Sequence, residues 1–423
     1  MNTSEEATPT PAVPSASNPR TGKPRVFTWR IPVLPLAVIS AVYLGVGFYR
    51  LTVQPDVPRL NVPFACDLSI RWREQLWMFG RLGQFREQEM RFGIDPDRRG
   101  QPSRNDSFPW GYPAWSYGMG MLVAPPVSWP VVRLYFALLN VAALAVIARW
   151  ASRQAVGPGQ YKGFVLAALA MSPISFVYCL SNGQSAILIT ALVILMAAAI
   201  QRRWPVVAGL CAAGVMYKPH PGVLFLPILV FRREYMAIGV AAAAGLIASL
   251  IPWAFTGHDP LVFLRNMWSH GITFDTQGLS GLLAVGGLSD AVSVEVLLAA
   301  GVAAALLLLW RFRRSHIRVQ VAIAAAISML WSYHKAYDYI LVVLLMVPLA
   351  RQVIQDGSRL TAGALLFLCA TNIFPLRIAL HWLPTVQVGY ALSVVMGLAA
   401  LLLEDARLTR GSPCPASPEK DSG

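Results

Sequence analysis

Charged residues are scarce in this sequence. Only 13% of the 423 residues are Asp, Glu, Lys or Arg, whereas 56% are hydrophobic and the mean hydropathy is +0.52. A soluble domain has about a quarter of its residues charged, so the deficit excludes an ordinary soluble protein. Apolar runs recur from Arg30 onward, and most are close to the ~20 residues that a helix needs to cross a bilayer core. The composition predicts an all-α polytopic membrane protein.

Motifs that would hold a nucleotide, a metal or a disulfide framework are also absent. The sequence has no GxxxxGKS/T loop and no strand–GxGxxG–helix unit, so an activated donor would have to arrive through the membrane as a lipid-linked compound. The five cysteines form no CxxC pair, and no His/Cys ligand spacing indicates a metal. We therefore expect neither a cofactor nor a bound metal.

The formal net charge of +14 comes largely from Arg and Lys residues that lie between the apolar runs. Residues in such positions orient helices and contact anionic headgroups. We expect membrane lipids, and no nucleic acid, as the partners of this charge.

We predict about twelve transmembrane helices. The segments are approximately 31–49, 130–148, 163–180, 185–200, 205–217, 221–231, 236–255, 291–310, 319–333, 339–350, 361–376 and 385–403. Positive residues such as Arg149, Arg202 and Arg232 fall at every second junction. Because short loops rich in Lys and Arg stay in the cytoplasm, this pattern places both termini inside.

This topology divides the chain into three parts. Residues 1–30 form a predicted disordered cytoplasmic N-terminus, 31–405 a single membrane domain, and 406–423 a disordered cytoplasmic tail. Residues 51–112 form a long extracytoplasmic loop, since long loops are translocated largely regardless of charge. Within this loop, residues 68–85 are apolar at every third or fourth position, which predicts an amphipathic helix in the membrane interface.

The fifth and sixth segments are too short to cross the bilayer core. They meet at Lys218, Pro219 and His220. At ~1.5 Å per residue each helix reaches only part of the way, so this junction is predicted to lie below the outer surface, in a cavity open to water. A cation placed there needs a partner.

Polar residues gather at the predicted outer ends of the helices. The candidates for a functional site are Asp67, Tyr112, Asn182, Gln184, Lys218, His220, His334, Lys335, Asp338 and Arg377. Outer loops do not need histidine to be soluble, so the one-sided collection favours a site. The alternative is that these are ordinary residues of the membrane interface.

Several candidates have two interpretations. Asp67 is either a helix N-cap or a proton acceptor at a helix start. Tyr112 belongs either to an interfacial aromatic belt or to a surface that stacks on a sugar ring. Asn182 and Gln184, in a tight Ser-Asn-Gly-Gln turn, either bind sugar hydroxyls or cap the next helix.

The stretch Ser-Tyr-His-Lys-Ala-Tyr-Asp at 332–338 is a dense polar cluster next to lipid. One interpretation is a solvated turn with a Lys335–Asp338 ion pair, which contributes little alone. The other gives His334 and Lys335 to a phosphate group and Asp338 to the orientation of one of them.

In chain order these motifs resemble those of the GT-C glycosyltransferases of family 87, which include polyprenyl-phosphate-mannose-dependent mannosyltransferases of actinobacteria. The matching features are the early outer-loop Asp67, Tyr112-Pro113-Ala114 where the family has a second proline, the turn Asn182-Gly183-Gln184, the pair Lys218-Pro219, and the cluster with His334 and Asp338. The resemblance covers roughly residues 31–400 and implies a GT-C fold.

The resemblance implies that a sugar (mannose or another hexose or pentose) moves from a polyprenyl-phosphate sugar to a lipid or glycan acceptor. The reaction would take place on the extracytoplasmic face of a bacterial plasma membrane, with inversion at the anomeric carbon. Asp67 would deprotonate the acceptor hydroxyl. Lys218, with Lys335, His334 or Arg377, would hold the departing phosphate.

Two other functions fit a multi-helix membrane protein. A secondary transporter or lipid flippase needs polar residues near the membrane midplane and usually shows two similar halves, which the sequence does not. A polymerase or ligase of lipid-linked glycans would share the polar outer loops.

Overall fold

The computed structural model describes residues 33–53, 66–79, 112–155, 160–257, 259–270, 294–331, 338–356, 358–373 and 384–411. Within these ranges every regular element is a helix, which confirms the predicted all-α class. The predicted candidates His334, Lys335 and Arg377 lie outside the described residues.

The helices follow one another along the whole described chain. They are α1 (Val33–Thr52), α2 (Cys66–Phe79), α3 (Ala114–Gly120), α4 (Trp129–Ser152), α5 (Gln160–Met171), α6 (Ser175–Asn182), α7 (Ala186–Gln201), α8 (Pro205–Val215), α9 (Pro219–Gly222), α10 (Leu226–Phe231), α11 (Tyr235–Thr256), α12 (Pro260–His270), α13 (Val294–Arg311), α14 (Ile317–Trp331), α15 (Val343–Asp356), α16 (Arg359–Ile373) and α17 (Pro384–Gly411). Short 3-10 turns at Val223–Phe225 and Asp338–Val342 lead into α10 and α15.

A helix lies at each of the twelve predicted membrane segments, but the helices differ in length. Within the described ranges, five are long and apolar enough to cross a membrane, or up to six if α5 and α6, which are bent by 56° at their break, form one span. Shorter apolar helices occupy the other predicted positions. The structure therefore supports a membrane protein, while the number of twelve crossings stays a prediction.

The bundle buries its helices unequally. Only 11% of the most apolar stretch of α11 is buried inside the protein, and Leu246 and Ile247 are each 61% exposed. Extended apolar faces that point outward mark contact with lipid. By contrast, 78% of the stretch Asp338–Gln355 is buried, so α15 forms the centre of the bundle. The beginning of this central element places Asp338 inside the protein.

The junctions predicted to be cytoplasmic meet at one end of the bundle. The Arg232 guanidinium donates to the Ser315 carbonyl at 2.6 Å, and the Ser315 hydroxyl donates to Asp405 at 2.6 Å. The side chains of Gln201 and His316 contact each other at 3.2 Å. Burial and three nearby arginines lower the pKa of His316 to about 4, so its imidazole is neutral at pH 7. The positive-inside pattern assigns these junctions to the cytoplasm, so it predicts that they lie together at one end of the bundle.

Helix α2 lies in the first part of the stretch predicted to be amphipathic, and its apolar face packs on protein. Leu68 and Trp72 are buried, and the Trp72 indole donates to the Val127 carbonyl at 2.7 Å. The Trp72 ring centroid lies 5.1 Å from that of Trp129. We expected contact with the membrane interface. The bundle instead supplies both the apolar surface and the hydrogen-bond acceptor that an indole needs.

The predicted chain ends are only partly described. Helix α17 continues to Gly411, so residues 406–411 of the predicted disordered tail are helical. Residues 1–32 and 412–423, together with 54–65 and 80–111 of the predicted outer loop, lie outside the described part of the chain.

Gly118 holds α3 close to α11. A Cβ atom at this position would lie 2.0 Å from the Ala248 carbonyl oxygen. We predict that Gly118→Ala lowers the free energy of unfolding by about 1–3 kcal/mol, because overpacking forces the two helices apart. Gly245→Ala, at an open position of α11, is the control and should be neutral or stabilising by up to about 1 kcal/mol. Thermal unfolding in detergent measures both, and equal melting temperatures would contradict the close contact.

Candidate active site

The helix breaks between α8 and α9 at Lys218. Helix α8 has 11 residues, which span about 16 Å, or roughly half of a hydrocarbon core. Pro219 begins α9, and the residue before a proline avoids helical geometry, so Lys218 is extended with φ −114° and ψ 90°. A Cβ atom at Gly222 would lie 2.5 Å from the Val215 carbonyl oxygen. The chain therefore makes a tight elbow that carries Lys218 at its bend.

The Lys218 ammonium group is buried and paired. The residue is 3% exposed, forms a salt bridge with Asp338 and donates to Gln184 Oε1 at 3.2 Å. Removal of an ammonium group from water costs several kcal/mol unless a counter-charge compensates it. The Asp338 carboxylate, which comes from a distant part of the chain, therefore stabilises the Lys218 charge.

The turn between α6 and α7 brings Gln184 to Lys218. Gly183 ends α6 in the left-handed conformation, with φ 66° and ψ 39°, a geometry that glycine adopts at little steric cost. The backbone N–H of Gln184 then donates to the Cys179 carbonyl at 2.8 Å. Asn182, the last residue of α6, is half-buried at the same turn.

Asp338 joins the elbow to the central helix. It is 1% exposed and begins the 3-10 turn that leads into α15. Besides its salt bridge to Lys218, its Oδ2 atom lies 3.9 Å from His220 Nε2. His220 is 23% exposed at its side chain and so lies nearer to solvent than the pair that it contacts.

Helices α2 and α3 lie against the same elbow. The Trp115 indole donates to the Met216 carbonyl at 3.0 Å, two residues before Lys218. The Gln75 amide donates to the Tyr117 carbonyl at 3.0 Å and so ties α2 to α3. The described part of the first loop and the Lys-Pro junction therefore occupy one end of the bundle.

A second buried ion pair lies on α2. Arg71 Nη1 donates to Glu74 Oε2 at 2.6 Å, and the Arg71 guanidinium carbon lies 3.7 Å from the centroid of the Tyr112 ring. Glu74 is 2% exposed. Burial raises the pKa of the Glu74 carboxyl to about 7, although the Arg71 charge lowers it. The hydroxyl of Tyr112 is also close enough to Lys218 to interact electrostatically.

Asp67 lies in the first turn of α2, one residue after the helix begins at Cys66. It is half-buried, and a carboxylate in this position interacts favourably with the helix dipole. Residues at i, i+4 and i+7 share one face of a helix, so Asp67 lies on the face that carries Arg71 and Glu74.

The structure brings together a large part of the site predicted from the sequence. Lys218, Gln184, Asp338 and His220 form one connected cluster, and Tyr112 interacts electrostatically with Lys218. The cluster differs from the predicted one in its pairing. The sequence analysis offered Lys335 or His334 as the partner of Asp338, whereas the described partner is Lys218.

Sequence reasoning missed Arg71 and Glu74. The available signal was their spacing from Asp67 in a helix predicted to be amphipathic, because charges at i, i+4 and i+7 on such a helix share one face. Tyr117, which follows on α3, is buried, with its ring 5.5 Å from that of Phe263.

The site combines two cations, two buried carboxylates and an aromatic ring. Among the described residues, no group of three or more His, Cys, Asp or Glu side chains could hold a metal ion. Fixed ammonium and guanidinium groups are the groups that proteins use to bind phosphate.

A comparison with known protein families matches residues 115–333, slightly more than half of the chain, to glycosyltransferase family 87. The chain belongs to glycosyltransferase family 87. No curated protein and no solved structure matches it. The region matched to family 87 contains Gln184, Lys218 and His220, whereas Arg71 and Asp338 lie outside it. The family and the apolar helices together make the chain a membrane glycosyltransferase, as the resemblance implied.

Removal of one partner from the Lys218–Asp338 pair leaves a buried charge without compensation. We predict that Asp338→Asn lowers the free energy of unfolding by about 3–5 kcal/mol. The double variant Lys218→Met/Asp338→Leu should lose less, because it removes both charges. Thermal unfolding in detergent compares the variants, with Lys162→Met, a half-exposed lysine of α5, as the control. If the double variant lost as much free energy of unfolding as the two single changes together, the ion pair would not be stabilising.

Proposed function

We propose that this glycosyltransferase moves a sugar from a polyprenyl-phosphate sugar to a lipid or glycan acceptor on the extracytoplasmic face of the membrane. The buried Lys218 supports this most directly. It is held by Asp338 and Gln184 at the elbow between α8 and α9. A cation fixed at this end of the bundle can reach the phosphate of a donor whose prenyl chain lies among lipid-facing helices.

The proposed step is an in-line displacement. The acceptor oxygen attacks the anomeric carbon, the bond from that carbon to the phosphate oxygen breaks, and polyprenyl phosphate leaves with one more unit of negative charge. The configuration at the anomeric carbon inverts. Lys218 stabilises the growing charge, because a preorganised cation in a site that excludes water acts strongly on a charge that develops in the transition state. We propose Lys335, His334 and Arg377 as further phosphate ligands.

Asp67 is the proposed general base. It receives the proton of the acceptor hydroxyl, and its place on the Arg71 face of α2 supports this role. Tyr112, which is half-buried beside the Arg71 guanidinium, is proposed to stack on the sugar, and Asn182 to bind a sugar hydroxyl. Gln184 contacts Lys218, so we propose that it orients the ammonium group.

His220 has a secondary role in this proposal. Its imidazole contacts Asp338 from the more exposed side and, when protonated, adds a positive charge next to Lys218. The two basic groups and the single carboxylate of Asp338 then carry a net positive charge toward the phosphate.

A transfer assay tests the proposed function. Purified protein is incubated with a set of radiolabelled polyprenyl-phosphate sugars and a membrane lipid extract, and labelled products are separated. We predict transfer by the wild type, with a rate for Asp67→Asn that is lower by about 10²–10⁴-fold, as expected when a general base is removed.

Asp259→Asn is the matched control for this assay. Asp259 is an exposed carboxylate at the beginning of α12, where it accepts the backbone N–H of Leu261 at 2.8 Å. We expect its transfer rate to equal that of the wild type. Equal rates for Asp67→Asn and the wild type would remove Asp67 from the mechanism. Absence of transfer with every donor, together with uptake of substrate into proteoliposomes, would contradict the proposed function.

A further inference from the structure

The Arg71–Glu74 pair has no role in the mechanism proposed above, yet its two side chains are closely paired inside the protein. Both residues come from one turn of α2, with 2.6 Å between Nη1 and Oε2. The Glu74 side chain is 3% exposed and that of Arg71 is 23% exposed, so only the cation reaches toward solvent. A surface salt bridge of this spacing would contribute little, but a buried one must compensate for the desolvation of two charges.

Aromatic groups hold the Arg71 guanidinium in place. Its carbon lies 3.7 Å from the Tyr112 ring centroid, within the range of a cation–π contact. The side chains of Tyr117 and Tyr217 also interact with Arg71, which is therefore surrounded by three phenol groups. Arginine presents five N–H donors in a rigid plane, so contacts with Glu74 and Tyr117 still leave the guanidinium able to bind another oxygen.

The pair is adjacent to the Lys218 site. Tyr217 is the residue immediately before Lys218, and a Cβ atom at Gly120 would lie 2.3 Å from the Gln75 amide nitrogen and 3.7 Å from the Tyr217 ring. The hydroxyl of Tyr112 interacts electrostatically with Lys218 while its ring contacts Arg71. The Tyr112 side chain therefore interacts with both the Arg71 and the Lys218 cation.

Each of the two described ion pairs has balanced charges before a substrate binds when its carboxylate is ionised. Lys218 is compensated by Asp338, and Arg71 by Glu74. A phosphodiester brings one negative charge, and the departing phosphate carries more. A balanced site becomes attractive to these anions when one carboxylate takes up a proton.

We infer that Arg71 is a second residue that binds the phosphate of the lipid-linked donor, and that Glu74 is the positioning residue that fixes its guanidinium and accepts a proton when the phosphate binds. This inference rests on the proposed function, because the polyprenyl-phosphate donor is the anion concerned. Glu74 gains the proton on its carboxylate from solvent, and no covalent bond to the substrate forms or breaks in this step.

The pH dependence follows from the state of Glu74. With a pKa of about 7, the carboxyl is neutral below that pH and ionised above it. Ionised Glu74 competes with the phosphodiester for Arg71, so donor binding takes up a proton and weakens as the pH rises. The groups that interact with Glu74 are Arg71 on its own helix, Tyr117 on α3 and Tyr217 at the elbow. His220 contacts Asp338, and a His220 variant tests its contribution to the pH dependence separately.

Equilibrium binding of a short-chain polyprenyl-phosphate sugar to the full-length protein in detergent tests the inference. The single phosphodiester charge of this probe does not titrate near neutral pH. We expect the wild-type Kd to rise about tenfold between about pH 6 and about pH 8, as one linked proton with a pKa of about 7 requires. His220→Gln removes the charge that a protonated His220 adds, and the Kd of this variant should still rise with pH because Glu74 remains. The double variant His220→Gln/Glu74→Gln should bind equally tightly at both pH values.

Arg71→Gln should raise the Kd roughly ten- to a hundredfold at every pH, the range for loss of a hydrogen bond to a charged group. Arg71→Lys, which keeps the charge and its partner, should lose less, and it replaces Arg71→Gln if that variant does not fold. Arg133→Gln is the matched control, since this arginine lies 5.8 Å from the Trp129 ring and donates to the Leu51 carbonyl. We expect no change in its Kd.

Two outcomes would overturn the inference in different ways. If the wild type binds the donor, and folded Arg71 and Glu74 variants bind it with the same Kd and slope, the inference fails and the proposed function stands. If the wild type binds no polyprenyl-phosphate sugar at either pH, the proposed function fails, and the inference falls with it.

Discussion

The buried salt bridge between Lys218 and Asp338 is the contact on which the functional end of this protein depends. An ammonium group in the interior of a membrane protein is unfavourable without a counter-charge, so the pair fixes the elbow between α8 and α9 against the beginning of the central helix α15. Gln184, His220 and the helices of the first loop are placed around this contact. Its geometry fixes the position proposed for the donor phosphate.

The fold supports this pair through helices that do not run the full depth of a membrane. Helix α8 ends after 11 residues, and α5 and α6 are bent by 56°. Irregular backbone at membrane depth is tolerated where it is buried in protein or lines a cavity filled with water. The breaks at Gly183 and Pro219 thus place polar groups inside the bundle, while α11 and α1 present apolar surfaces outward.

The sequence predicted the helices well because hydrophobic length and the arginine pattern are local signals. It also predicted the Lys218 junction, since two proline residues and two short apolar runs mark the break. It did not predict that Asp338 pairs with Lys218, because that contact joins residues 120 positions apart and depends on how the helices pack. Arg71 and Glu74 were missed for a similar reason. Only the packing of the helices shows that the Glu74 carboxylate is buried.

The central claim is that this end of the bundle binds the phosphate of a polyprenyl lipid. An electron cryo-microscopy structure of the protein with polyprenyl phosphate tests it most directly. We predict density for the phosphate within about 3 Å of Lys218 Nζ, the normal N–H···O distance, and on the side that carries Arg71. A phosphate bound instead at the end where Arg232, Arg318 and Arg351 lie near His316 would contradict the account.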